Sequence, residues 1–289
     1  MKRLEINGKH LGNIPENWRE MTPIQIKKLC KLLSTNPDEK TLRIMLLMVF
    51  SNLFFSKRNF TTIDNEINHW YYSRKTGNFL LPNYVVEWAV KSFDWLFKNH
   101  DGLFYIESKM HVNNLPILFT RFCRKLHGPE SALFNITWLE FERLEVNYDR
   151  LKTDEKAMDN LIGILYRPMK PKPKRKPGVD PRVDYNDHDL AKYARTAKWL
   201  RPWQKIYIKL FYEGCRAFII EKHPNAFGKD GSTTEPGTSL TQQFASLTNA
   251  LANNNPLNAA PMRQTRLWDI LPAMEATAKT AKELKAAQK

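Results

Sequence analysis

Between Leu165 and Asp187 the chain reads LYRPMKPKPKRKPGVDPRVDYND. Five prolines stand there, Pro168, Pro171, Pro173, Pro177 and Pro181. Each lacks the N–H that a helix needs, so no helix continues through the segment. Residues preceding proline are pushed towards extended conformations. Arg167, Lys170, Lys172, Lys174, Arg175 and Lys176 put six bases and no acid into ten residues. Like charges repel, so this composition predicts an extended, solvated, mobile arm. Whatever the chain folds into must be assembled from helices on either side of it.

The flanking signals are helical. Thr22 with Gln25, and Thr137 with Glu140, have capping-box spacing, and Pro23 suits a first helical position. Asn36-Pro37-Asp38-Glu39 repeats that grammar and opens a predicted helix through Phe55. Further helices are predicted over Ile63–Tyr72, Pro82–Phe97 and Leu115–Lys125. Thr153-Asp154-Glu155 caps MDNLIGILYR, which should pair antiparallel with the helix after Thr137. Beyond the arm, Asn186 or Asp187 caps a helix that Pro202 breaks and Trp203–Lys222 resumes. Leu240–Leu251 is a short helix, NNNPLNAAP a loop, and Thr265–Lys289 a helical tail that docks through Leu267, Trp268, Ile270 and Leu271 and frays at its end. Asn7-Gly8 marks a hairpin within Leu4–Leu11. LFYIES and KMHVN can pair as a second small hairpin.

The expected fold is an all-α, irregular multi-helix bundle, with room for one small β-hairpin, split by the basic arm. The parts are a helical domain over 1–168, the arm over 169–186, a helical pair over 187–227 packing back on the first domain, a flexible linker over 228–239 (GKDGSTTEPGTS), and a helical tail over 240–289. The reason for packing back is apolar area. Trp199, Trp203, Ile206 and Leu210 form one stripe, and a hairpin alone buries too little of it.

Charge narrows the function classes. The chain carries a formal +15. Residues 1–166 hold 23 Lys+Arg against 19 Asp+Glu, and residues 167–289 hold 22 against 11, so the excess of +11 lies in the second part. That suits an acidic partner, nucleic acid included, as well as simple solubility. Lys192, Arg195, Lys198, Arg201, Lys205 and Lys209 alternate with aromatics, a pattern for single strands, though the Trp199 stripe favours core packing. Cys30, Cys123 and Cys215 stand apart without CxxC spacing, which points to a reducing cytoplasm and no disulfide framework. Leu42–Phe55 is too short to span a bilayer, and MKRLEINGKH lacks the apolar run of a signal peptide, so no membrane role is expected. Asp180, Asp184, Asp187, His188 and Asp189 are dense enough to suggest a metal, but helix capping explains them better. No nucleotide or hydrolase motif occurs, and no cofactor is implied.

Several stretches together resemble one family: NIPENWREMTPIQIKKLCKLL, EFERLEVNYDRLKTDEKAMDNLIGILYRP, DPRVDYND, LRPWQKIYIKLFYEGCRAFIIEKHPNAF and TRLWDILPAMEATAKTAKEL. They resemble helical proteins coded in the tail-gene region of Bacteroidetes phages and prophages. The resemblance implies a non-enzymatic tail-assembly, chaperone-like or tail-accessory role, other phage tail proteins as partners, and a place in the host cytoplasm or on the virion. It transfers no catalytic residue. The alternative is a nucleic-acid-binding protein acting through the basic second half. In either case the arm residues Arg167, Lys170, Lys172, Lys174, Arg175 and Lys176 are the candidate contacts to an acidic partner or nucleic acid. Leu267, Trp268, Ile270 and Leu271 are the candidate protein-docking residues. An open arm predicts that limited trypsin digestion cuts first between Lys170 and Arg182 and leaves two associated fragments on a sizing column.

Overall fold

A computed structural model describes residues 2–6, 9–51, 53–63, 66–73, 77–100, 103–174, 179–227, 240–252 and 255–287. The chain divides into two compact units, Met1–Ser108 and Lys109–Lys289. The division falls inside the helical domain expected over 1–168. The basic arm lies within the second unit and does not separate domains.

The first unit opens with strands β1 (Lys2–Ile6) and β2 (Lys9–Ile14), which pair antiparallel across the expected Asn7-Gly8 turn; those two residues lie outside the described set. Helix α1 (Pro23–Leu33) starts at Thr22, whose side chain accepts from the Gln25 N–H while Gln25 answers the Thr22 backbone, and it buries Ile26, Leu29 and Cys30. Helix α2 (Glu39–Ser51) buries Leu42, Leu46, Leu47 and Phe50. It ends before the expected Phe55, because strand β3 (Leu53–Ile63) begins there. Strands β4 (Glu66–Ser73) and β5 (Gly77–Pro82) complete a three-stranded antiparallel sheet. The helix predicted over Ile63–Tyr72 is therefore largely a strand: Ile67, Trp70, Tyr71 and Tyr72 are of types that favour the pleated sheet. Helix α3 (Asn83–Lys91) is shorter than predicted. A short turn leads to strand β6 (Phe97–His100), which pairs with β7 (Leu103–Ile106). LFYIES thus pairs backwards along the chain and not with KMHVN. Trp18 and Trp95 meet edge-on at 5.8 Å, and the Trp95 indole N–H donates to the Pro15 carbonyl at 2.8 Å.

The second unit contains a hairpin of strands β8 (Ile117–Phe119) and β9 (Lys125–His127) where a helix was predicted. Thr120 closes it: its N–H donates to the Arg124 carbonyl at 3.0 Å, and its hydroxyl accepts from the Arg124 N–H at 3.2 Å. Helix α4 (Trp138–Asp149) has the predicted capping box of Thr137 and Glu140. Helix α5 (Glu155–Leu165), capped by Asp154, packs against it. Helix α6 (Leu190–Ala197) lies so close on α5 that a Cβ on Gly163 would sit 2.9 Å from the Ala194 nitrogen. Helix α7 (Pro202–Lys222) buries Tyr207, Ile208, Phe211, Tyr212, Cys215 and Ile219. Its buried face is rotated from the predicted stripe: Leu210 is inside, Trp203 and Ile206 are half-buried, and Trp199, which precedes the helix, is 46% exposed. Helices α8 (Pro224–Phe227), α9 (Leu240–Leu251), α10 (Pro256–Gln264) and α11 (Leu267–Ala287) follow. The linker over 228–239 lies outside the described residues. The predicted NNNPLNAAP loop is mostly α10, because Asn255 caps the Leu257 N–H and Pro256 takes the first helical position.

The described chain is mainly helical, with four small antiparallel sheets in place of the all-α bundle with one hairpin. No helix among the described residues is long and apolar enough to cross a membrane. Gly214 lies directly against the Met110 backbone, which a Cβ added at this position would overlap. Gly214→Ala should cost about 1–3 kcal/mol in urea unfolding, while Glu221→Ala, exposed on the same helix, should stay within about 0.5 kcal/mol.

Candidate nucleic-acid interface

The basic arm does not behave as its composition suggests. Arg167 and Arg182 are each 1% exposed. An Arg167 Nη1 donates to Glu140 and to the Ile164 carbonyl at 2.7 Å. Arg182 forms a fork with Asp180, Nε to Oδ1 at 3.0 Å and Nη2 to Oδ2 at 2.7 Å, and reaches the Leu165 carbonyl at 2.6 Å. Two guanidinium groups therefore face two carboxylates, and the cluster is neutral. Burial pushes the Arg167 pKa down from the ordinary arginine value, with Glu140 opposing the shift. Met169 and Arg182 form an antiparallel bridge, with Lys170 N–H to the Pro181 carbonyl and Val183 N–H to the Pro168 carbonyl, both at 2.8 Å. The arm is a loop closed at its base.

The six predicted contact residues consequently do not make one surface. Arg167 is inside. Lys170 is half-buried and pairs with Asp184 at 2.7 Å. Lys172 and Lys174 are exposed. Arg175 and Lys176 lie outside the described residues. The acid-rich run after the arm is also taken up in pairs. Arg143 holds Asp187 through Nε at 3.0 Å and Nη2 at 2.8 Å, the Tyr185 hydroxyl donates to Asp187 at 2.7 Å, and Asn186 caps the His188 N–H. Among the described residues no group of three or more His, Cys, Asp or Glu comes together as metal ligands. The predicted docking residues are likewise occupied by the chain itself. Leu267, Ile270 and Leu271 are buried, and Trp268 donates its indole N–H to the Ala132 carbonyl at 2.9 Å while its ring lies 4.7 Å from Phe134.

A different surface emerges at the β8–β9 tip. Phe119 is 50% exposed, Phe122 64% and Trp199 46%. Phe122 meets Trp199 at 4.7 Å between ring centroids. The tip is fixed to the corner between α6 and α7: the Arg121 N–H donates to the Trp199 carbonyl at 3.0 Å, and Gln204 donates to the Phe119 carbonyl at 3.2 Å. Cys123 turns the chain with φ 57°, a left-handed conformation that non-glycine residues seldom adopt. At the hairpin's other end, the Leu115 N–H donates to the Tyr207 hydroxyl at 2.9 Å. Around these rings stand Arg121, Arg124, Lys125, Lys198 and Arg201, all exposed. Lys125 lies over the Phe119 ring at 5.9 Å. None of the five has an ion-pair partner among the described residues. Neither contributing segment, 116–128 or 190–209, contains an acid.

Sequence reasoning noted Lys198, Trp199 and Arg201 but favoured core packing for their pattern, and it assigned Phe119, Arg121, Phe122, Arg124 and Lys125 to a helix. The available signal was the absence of acids from 116–128. Trp199 was misplaced because a stripe counted through Pro202 ignores the corner that proline makes.

Removing one partner of the buried cluster should unfold the unit readily. Arg167→Ala should cost about 3 kcal/mol by leaving Glu140 under-compensated; adding Glu140→Gln should return part of that loss in denaturant unfolding. At Asp187, burial alone raises the pKa, but bonds from Arg143 and Tyr185 outweigh it and hold it below the ordinary aspartate value. A depressed folded-state pKa gives stability above the unfolded value that is lost as pH falls through the folded one. Arg143→Ala should therefore lower the melting temperature at neutral pH and leave it unchanged in strong acid. Burial pushes the Cys30 thiol up to about 12 and the buried Cys215 thiol well above its ordinary value. In the native state a thiol reagent should label Cys123 alone. The chain matches no protein-family model, no curated protein and no solved structure.

Proposed function

We propose that this chain is a non-enzymatic nucleic-acid-binding protein whose contact surface is the platform of the β8–β9 tip and the α6–α7 corner. One observation carries the reading: five exposed cations without ion-pair partners among the described residues surround three exposed aromatic rings. Cations already neutralised by carboxylates, as Arg167, Lys170 and Arg182 are, gain little from a phosphate. Unpaired ones release condensed counterions when they meet a polyanion, and that release drives binding.

The phage-tail reading rests on the resemblance of the five sequence stretches. It now needs a surface other than Leu267–Leu271, since those side chains already pack against the chain itself. Co-purification with a long coiled-coil tail protein would support it.

The test is a salt series. With five phosphate contacts, log affinity should fall against log salt with a slope of about −3.5 for a single strand. Replacing Arg121, Arg124, Lys198 and Arg201 together by Ser should flatten that slope and remove most binding. Replacing Lys170, Lys172 and Lys174 should do far less. Absence of any nucleic-acid binding at low salt sinks the proposal.

A further inference from the structure

We infer that the platform takes single-stranded nucleic acid, with unpaired bases stacked on Phe119, Phe122 and Trp199. The inference rests on the nucleic-acid reading above and adds the form of the ligand. Cations alone do not discriminate: any dense array of negative charge satisfies Arg121, Arg124, Lys125, Lys198 and Arg201. The rings do. A duplex keeps its base faces stacked inside and offers only base edges in its grooves, so three projecting rings find no flat partner on it. An acidic polypeptide supplies carboxylates but no succession of planar faces. A single strand supplies phosphates and free base faces together. Stacking on aromatics is sequence-tolerant because every base has a π-face.

The rings are held out, not left out. Thr120, Arg121, Cys123 and Arg124 fix the tip through backbone bonds of 3.0 Å and a 3.2 Å bond to the Thr120 hydroxyl, and Gln204 and Trp199 tie it to the helix corner. A loose tip would turn Phe119 and Phe122 inward, because burying rings of this size is favourable. From its two strands this tip turns Leu118 and Leu126 inward, each 2% exposed, with Thr120 at the turn 5% exposed. The alternation that buries these leucines sends Phe119 and Lys125 to the other face, where they sit together. The result is a preorganised surface, so little ordering cost is left for the binding step.

The experiment is fluorescence anisotropy on the full chain at low salt with three probes: an oligothymidylate of about twelve nucleotides, within the usual site size of such surfaces, a duplex of equal length, and polyglutamate. Oligothymidylate should bind about tenfold tighter than duplex or more. Phe122→Ala and Trp199→Ala should each weaken oligothymidylate binding about tenfold, leaving its salt slope and the duplex affinity unchanged. Trp199→Phe should restore most of the affinity, which separates ring stacking from a merely structural loss. Thermal melts confirm that each variant is folded. Equal affinity for duplex, or rings that do not matter, overturns the single-strand inference while polyanion binding stands. Polyglutamate binding as tightly as oligothymidylate assigns the platform to a protein partner and overturns it too. No binding to any probe overturns both readings.

Discussion

Helix α4 places three carboxylates in the interior of the second unit, and a buried charge must be answered where it lies. Glu140 meets Arg167, with Arg182 3.9 Å away. Glu142 accepts from Thr248 of α9 and faces Arg263 of α10 at 3.4 Å. Glu145 accepts from Tyr212 at 2.6 Å and from Arg216 at 2.9 Å, both on α7. Each acid thus fastens a different part of the chain to the same helix: the arm, the α9–α10 pair and the long helix α7. Hydrophobic burial is non-directional and permits these elements to slide. The three charged contacts set which turn of each element faces α4.

Legibility in the sequence followed the range of the interaction. The caps at Thr22, Thr137, Asp154 and Asn186 are local, and each was readable from residues within three positions. Helix α9 has the predicted bounds, and α7 begins one residue before the predicted Trp203, with Pro202 as its first residue. The arm was not readable. Nothing near Arg167 in sequence announces Glu140, which stands 27 residues earlier, so composition predicted repulsion where tertiary structure supplies attraction. The strands of the first unit show the same competition between levels: the apolar spacing in Ile63–Tyr72 suits a helix as well as a strand, and pairing with neighbouring segments decides it.

The division of labour among the basic residues follows from pairing. Those that come near a carboxylate in three dimensions serve the fold: Arg143, Arg167, Arg182, Lys205, which meets Asp159 at 2.6 Å, and Arg216. Those on the β8–β9 tip and the α6–α7 corner project from acid-free segments. Net charge therefore says less about partners than the location of the charges left over. The +11 of residues 167–289 counts bases already paired with carboxylates, such as Arg182 and Lys205, and leaves out Arg121, Arg124 and Lys125, which stand earlier in the chain.

The closed base of the arm has one more consequence. Met169 and Arg182 face each other across an antiparallel bridge, and Asp180 holds Arg182 from inside the loop, so the helices on either side are positioned by these residues at the neck. The cost of closing a loop grows only with the logarithm of its length. Segments of different size and composition fit between Lys170 and Asp180 with little effect on α5 or α6. The neck acts as a socket, and the stretch it holds can change by insertion or deletion while the helical frame stays as it is.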